Sequence, residues 1–291
     1  MTDLHIIEAA ILGIIQGLTE FIPVSSSGHL IAIPKLLGWN DMGMSFDVAL
    51  HWGTLVALLI FFWRDWAAIL SSFWQHVTKG VPYTKDESGR SGRLLIPIIV
   101  ACIPAAIAGK LLDKKIEAFR DRPFMILAIA GGLAVMAVVM LLAEKMGRRQ
   151  RDISRMGYTD YVVIGIAQAL ALIPGVSRSG VTITAGLFRD LDRTASARFS
   201  FLLSMPVIFG AGLLKLKDMM KSAKMDPNVN KLGLHHNEIL PWIVGFAAAA
   251  IFGYLAIKFL MNFLQKNSLK PFAVYRICFA VLMVGLFIMG R

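Results

Sequence analysis

Apolar positions along this chain fall into long uninterrupted runs separated by short basic stretches. Runs at 48–63, 94–112, 124–143, 199–214, 239–260 and 272–289 each approach or reach the roughly 20 residues that a membrane helix needs. One such run could be a buried helix of a soluble core, but six in one chain predict repeated membrane crossings. Two further apolar stretches are interrupted. In 4–37 the break is Pro23, then Ser25-Ser26-Ser27-Gly28, then His29; in 158–188 it is Pro174-Gly175 and Ser177-Arg178-Ser179-Gly180. Polar backbone at membrane depth is tolerated only where protein buries it or a wet cavity meets it. Each stretch therefore predicts a re-entrant helix hairpin that enters and leaves on one side.

The two interrupted stretches also match each other at a constant offset of 152 residues. Gly13 falls on Gly165, Gln16 on Gln168, Val24 on Val176, Ser25 on Ser177, Ser27 on Ser179 and Gly28 on Gly180, while Ser26 falls opposite Arg178. The chain thus divides into two similar halves, 1–149 and 150–291, each with one re-entrant hairpin (4–37 and 158–188) and three spans. An odd number of crossings turns the second half over relative to the first. The predicted fold is an all-α integral membrane protein, an inverted-topology repeat with six transmembrane helices plus two re-entrant helix hairpins in one membrane domain. In such repeats the broken helices meet near the midplane and build the site between them.

Composition sharpens this picture without redirecting it. Of 291 residues, 56% are hydrophobic and 17% charged, against about 25% charged in soluble domains, too few to cover the chain in water. The net charge of +11 does not imply nucleic acid, because the basic residues cluster between apolar runs, as at 145–155 and 215–224. Lys and Arg there serve topology and contact with anionic lipid. Met1-Thr2-Asp3-Leu4-His5 lacks the positive start of a secretory signal. Cys102 and Cys278 lie inside apolar runs and read as small core hydrophobes. Loops at 64–93, 145–155, 189–198 and 258–270 share one side and hold sixteen Lys and Arg; Lys35, 110–122, 215–231 and Arg291 give the other side twelve. The positive-inside rule puts the first side in the cytoplasm and both termini outside.

The breaks carry the candidate chemistry. Gln16 and Glu20 are four apart and share a helix face. A carboxylate at membrane depth faces a partner or a wet cavity, so Glu20 is a candidate general base or metal ligand, or else the partner of a basic residue. Ser25, Ser26 and Ser27 offer hydroxyls and free N–H groups at a helix start, which suits an anion such as phosphate as well as a simple N-cap. His29 stands beside them. Arg178, between Ser177 and Ser179 and followed by Thr182, supplies a cation whose planar fork matches phosphate oxygens, with a salt bridge to Glu20 as the structural alternative.

Gln16 to Glu20, leading through Ser25-Ser26-Ser27-Gly28 to His29, together with Pro174-Gly175-Val176-Ser177-Arg178-Ser179-Gly180-Val181-Thr182, closely resembles the bacterial undecaprenyl-pyrophosphate phosphatase family of the bacitracin-resistance type. The resemblance implies hydrolysis of a C55 polyprenyl pyrophosphate to the monophosphate, recycling the carrier for peptidoglycan synthesis. It implies a multi-pass protein of the bacterial inner membrane with a site opening to the periplasm, and dependence on a divalent cation, magnesium or calcium. Carried over by motif, Glu20, Ser26, His29 and Arg178 take the catalytic positions, with Glu20 also the metal ligand. Gln16, Ser25, Ser27, Ser177, Ser179 and Thr182 are the substrate-binding candidates. Gln16 stands where many relatives carry a second carboxylate, which leaves Glu20 the dominant acid. The nucleophile is open between Ser26, His29 and water, and the oligomeric state is open, a homodimer included. A transporter or flippase of an anionic lipid is the rival function, since inverted repeats with broken helices are also a transporter architecture.

Overall fold

Each of the six apolar runs coincides, to within one residue at its ends, with part of a helix long and apolar enough to cross a membrane, and the chain is a multi-pass membrane protein. The computed structural model describes residues 2–40, 42–83, 92–120, 124–223 and 239–290. The ten α-helices among the described residues are α1 (Thr2–Phe21), α2 (Ser26–Leu37), α3 (Gly43–Lys79), α4 (Leu95–Arg120), α5 (Met125–Met146), α6 (Tyr158–Ala169), α7 (Arg178–Phe188), α8 (Arg193–Ala223), α9 (Ile239–Phe263) and α10 (Lys270–Ile288). The fold is all-α, as the run pattern predicts.

Three helices run past the ends of their apolar runs. The 37 residues of α3 would extend about 55 Å, well beyond a hydrocarbon core of about 30 Å. At Phe62 the backbone leaves helical values (φ −101°, ψ 17°), which divides α3 into a membrane-length piece and an extension beyond it. The expected loop at 64–93 is therefore helical as far as Lys79, where Gly80 closes the helix at φ 64° with its N–H on the His76 carbonyl. Likewise α4 continues to Arg120 and α8 to Ala223, into the expected loops 110–122 and 215–231. These extensions contain no Gly or Pro to stop a helix. The remaining loop stretches, 84–91, 121–123 and 224–238, and Arg291 lie outside the described residues.

Packing is crosswise. α1 lies on α9, and α6 on α4; α3 also touches α9, and α8 touches α4, while α3 pairs with α8 and α5 with α10. Exchanging α1–α5 for α6–α10 maps these pairs onto one another. Small residues allow the closest approaches. A Cβ on Gly13 would lie 2.5 Å from the Gly245 carbonyl oxygen, and one on Gly17 would lie 2.7 Å from the Gly253 nitrogen. Gly165, the offset partner of Gly13, sits in the same way on Ala101, its Cβ 2.6 Å from that carbonyl. Such small-residue seams let membrane helices gain van der Waals packing that lipid does not offer. Gly17→Leu, which forces α1 off α9, should cost about 3 kcal/mol or more; an unchanged thermal midpoint in detergent would count against this seam.

Carboxylates stitch one end of the bundle together. Asp65 pairs with Arg198. Glu144 receives Arg149 at 3.1 Å, Arg193 at 2.7 Å and the Leu269 N–H at 2.7 Å. Asp160 receives Arg151 at 2.6 Å and Arg189 at 2.8 Å. These bonds join 64–93, 145–155, 189–198 and 258–270, the four segments that the sequence assigns to one side. They also bring the start of α6 to the end of α7. In the connection between α5 and α6, Asp152 accepts from the Ser154 hydroxyl and from the Ser154 and Arg155 N–H groups, which holds its carboxyl below the usual range.

Candidate functional site

The two breaks have the same local shape. Ser25 precedes α2 with φ 77° and ψ 93°, and Ser177 precedes α7 with φ 72° and ψ 120°. Positive φ at a residue other than Gly costs of order 1–3 kcal/mol and persists only where the surroundings over-determine it. In both turns this serine pairs its hydroxyl with the serine two residues on, Ser25 with Ser27 at 3.3 Å and Ser177 with Ser179 at 3.2 Å. Ser177 also caps α7 by accepting the Gly180 N–H. The second turn lies directly on α5: Gly175 has φ 85°, and a Cβ there would run into the Ile129 carbonyl, as one on Gly132 would run into the Pro174 carbonyl.

Glu20, one residue before the end of α1, is the centre of the site. Its Oε2 accepts from the Ser26 hydroxyl at 2.6 Å and from the Gln16 amide at 3.1 Å. Its Oε1 accepts from Arg178 Nη2 at 2.7 Å, across from the other half of the chain. Arg178 Nη1 donates to the Ser204 carbonyl of α8 at 3.0 Å, which fixes the plane of the guanidinium. The structure thus brings Gln16, Glu20, Ser26 and Arg178 together. Phe21 turns the other way, packing edge-on against Phe201 with ring centroids 5.5 Å apart, so the last turn of α1 has an apolar anchor beside its acid.

The remaining candidates divide. Ser25 and Ser179 are buried, Ser177 is half-buried and Ser27 exposed. Thr182 lies one turn into α7, buried, with its hydroxyl bonded to the Arg178 carbonyl at 2.7 Å and to the Ser200 hydroxyl at 2.6 Å. That places it in the contact between α7 and α8. His29 stands in a tight socket. Its Nδ1 is 2.8 Å from the Ser25 carbonyl, which can only accept, so Nδ1 carries a proton. Its Nε2 lies 2.7 Å from the Tyr275 hydroxyl, and the Phe279 ring stacks on it at 4.1 Å. Both ring nitrogens are therefore engaged away from Glu20 and Ser26.

α10 contributes residues that sequence reasoning missed: Tyr275 and Phe279 on His29, and Arg276, whose guanidinium reaches both turns. A signal for Arg276 existed. Of the 30 Lys and Arg, only Arg178 and Arg276 fall outside the loops and chain ends, and an ionisable residue within a span marks a functional site by default.

The donor set suits a hard divalent cation. Glu20 and Ser26 offer oxygens, and Gln16 Oε1 is buried without a hydrogen-bond partner. Such cations take oxygen ligands. Among the described residues no three His, Cys, Asp or Glu side chains gather, so an ion held here would draw further oxygens from a phosphorylated ligand.

With this geometry in place, similarity to known proteins fixes the family. The chain is 42% identical to the undecaprenyl-diphosphatase of Geotalea daltonii over 97% of its own length and 99% of that protein. It is 42% identical to that of Moorella thermoacetica over 98% and 99%, and 43% identical to that of Chlorobaculum tepidum over 98% and 97%. The family model described as bacitracin resistance protein BacA matches residues 9–282, and the chain belongs to that family.

Proposed function

We propose that this protein hydrolyses undecaprenyl pyrophosphate to undecaprenyl phosphate and inorganic phosphate within the membrane. The observation that carries the proposal is the Ser26–Glu20–Arg178 cluster: a hydroxyl on a carboxylate at 2.6 Å, and that carboxylate on a guanidinium at 2.7 Å. The names of the relatives supply the substrate.

Ser26 is the nucleophile in this proposal. Its Oγ forms a bond to the terminal phosphorus while the bond from that phosphorus to the bridging oxygen breaks, and undecaprenyl phosphate leaves. The hydroxyl proton passes to Glu20. Water then bonds to that phosphorus as the Oγ–P bond breaks; Glu20 returns its proton to Oγ, and phosphate leaves with the water's oxygen and both of its protons. Arg178 holds the phosphoryl oxygens, with the N–H groups at the starts of α2 and α7. An arriving pyrophosphate competes for Arg178, which frees Glu20 Oε1 from its cation and raises its basicity when the proton must move. His29, bonded to the Ser25 carbonyl, holds the strained turn that presents Ser26. Glu20 and Gln16 would hold a divalent cation, magnesium or calcium, which when bound neutralises pyrophosphate charge.

The crosswise packing and the matched breaks support the inverted repeat of 1–149 and 150–291. The bond between Arg189 and Asp160 supports a re-entrant hairpin at 158–188. We assign the stitched basic end to the cytoplasm of a bacterial inner membrane and the mouth of the site to the periplasm, on the charge bias of the loops and the family resemblance.

The test is phosphate release from undecaprenyl pyrophosphate by the purified protein in detergent. Sustained release supports the phosphatase; none, from folded protein with magnesium or calcium supplied, overturns it and leaves a carrier of anionic lipid. Labelled substrate quenched during turnover should leave an acid-stable phosphoserine at Ser26. An acid-labile adduct would instead assign the nucleophile to His29.

A further inference from the structure

The guanidinium of Arg276, in the middle of α10, is wholly buried and donates to five main-chain carbonyls. Pro23, at 3.1 Å, belongs to the first turn; Gly175, at 2.7 Å, and Val176, at 3.1 Å, belong to the second. Gly132 and Leu133 of α5, each at 3.3 Å, complete the set. The geometry points to Arg276 as a positioning residue for the hydrolysis: it fixes the two broken-helix turns against each other and so sets the contact between Glu20 and Arg178. This inference rests on the phosphatase reading above.

Charge within a membrane-crossing helix is costly and normally meets a counter-charge or a wet cavity. The partners of Arg276 are carbonyls, and the chain breaks supply three of the five. Where α1 ends, and where the chain after α6 leaves its last short turn at Leu172, carbonyls are left without intrahelical partners. The negative end of each helix dipole points to the same place, which favours a cation. Each turn therefore has two poles. Its carbonyl pole rests on Arg276; its N–H pole begins the next helix and carries Ser26 in one half and Arg178 in the other.

Arginine suits this task as lysine does not. Its donors are set in a planar fork of fixed shape, whereas an ammonium is a single point on a flexible stem. One rigid group bonded to both turns converts two loops into one body. The lever is short: Pro23 is three residues from both Glu20 and Ser26, and Val176 is two from Arg178. Nothing in this arrangement brings Arg276 to the reacting atoms, so its effect must travel through the turns.

The experiment is a double-mutant cycle on the full-length protein in detergent. Arg276→Met and Arg276→Lys are each placed in wild-type and Arg178→Ala backgrounds, with size-exclusion profile and thermal midpoint as the check on folding. With Arg178 present, Arg276→Met should lower kcat by about 10²-fold while KM moves far less, the loss that a misplacement of about 1 Å produces. Arg276→Lys should recover part of that loss. Without Arg178 the same methionine substitution should cost only about twofold more, because the contact it sets is already gone. A folded Arg276→Met protein with wild-type kcat overturns the inference, and so does an equal loss in both backgrounds, which would mark a role in stability alone. If the methionine variant does not fold, Arg276→Lys carries the same two outcomes. Absence of phosphate release from wild type would instead overturn the phosphatase reading, so the two failures are distinct.

Discussion

Glu20→Gln should lower kcat for phosphate release by roughly 10²–10⁴-fold, the range for removing a positioned general base, while leaving KM unchanged or reduced. The side chain keeps its size and can still accept from Ser26, whose hydroxyl lies 2.6 Å from Oε2. It cannot take the proton that Ser26 must lose. Gln16 offers no substitute, since it is an amide. The direction of KM follows from Arg178. In the free protein Glu20 neutralises that guanidinium at 2.7 Å; without the carboxylate, a pyrophosphate no longer has to displace a competing anion. Steady-state kinetics on folded variant protein checks both parts. Turnover within a factor of about two would remove Glu20 from the role of base.

How much of this was legible beforehand depends on where each residue finds its partner. The six spans could be read because, in lipid, a run of about 20 apolar residues satisfies its backbone only as a helix. Their ends could not, because an extension of mixed polarity such as 64–79 of α3 carries no Gly or Pro to mark where the helix stops. Glu20 and Arg178 stood out as charges interrupting apolar stretches, and their pairing across 158 residues was foreseen as an alternative. Thr182 entered through its place in the motif, yet a helix one turn on has rotated it onto Ser200. Tyr275 was invisible because its partner, His29, is 246 residues away and no motif links them. Arg276 was missed for a different reason. Its partners are carbonyls, which every residue possesses, so no side-chain pattern announces where such a cation is bound.

Arg178→Ala should lower kcat by about 10³-fold or more, as loss of a cation that stabilises phosphoryl transfer does, and here KM should rise. The alanine protein loses the guanidinium bonded to Glu20, and with it the cation that would have bound the pyrophosphate. Opposite movements of KM in Glu20→Gln and Arg178→Ala separate this arrangement from a merely structural salt bridge, whose two partners should fail alike. Arg178→Lys should restore charge but only part of the rate. Arg178 spends one arm on the Ser204 carbonyl at 3.0 Å and points the other at Glu20, and an ammonium on a flexible stem does not reproduce that fixed plane. If the lysine protein recovered full kcat, a point charge would suffice, and the fixed plane of the guanidinium would have no part in the chemistry.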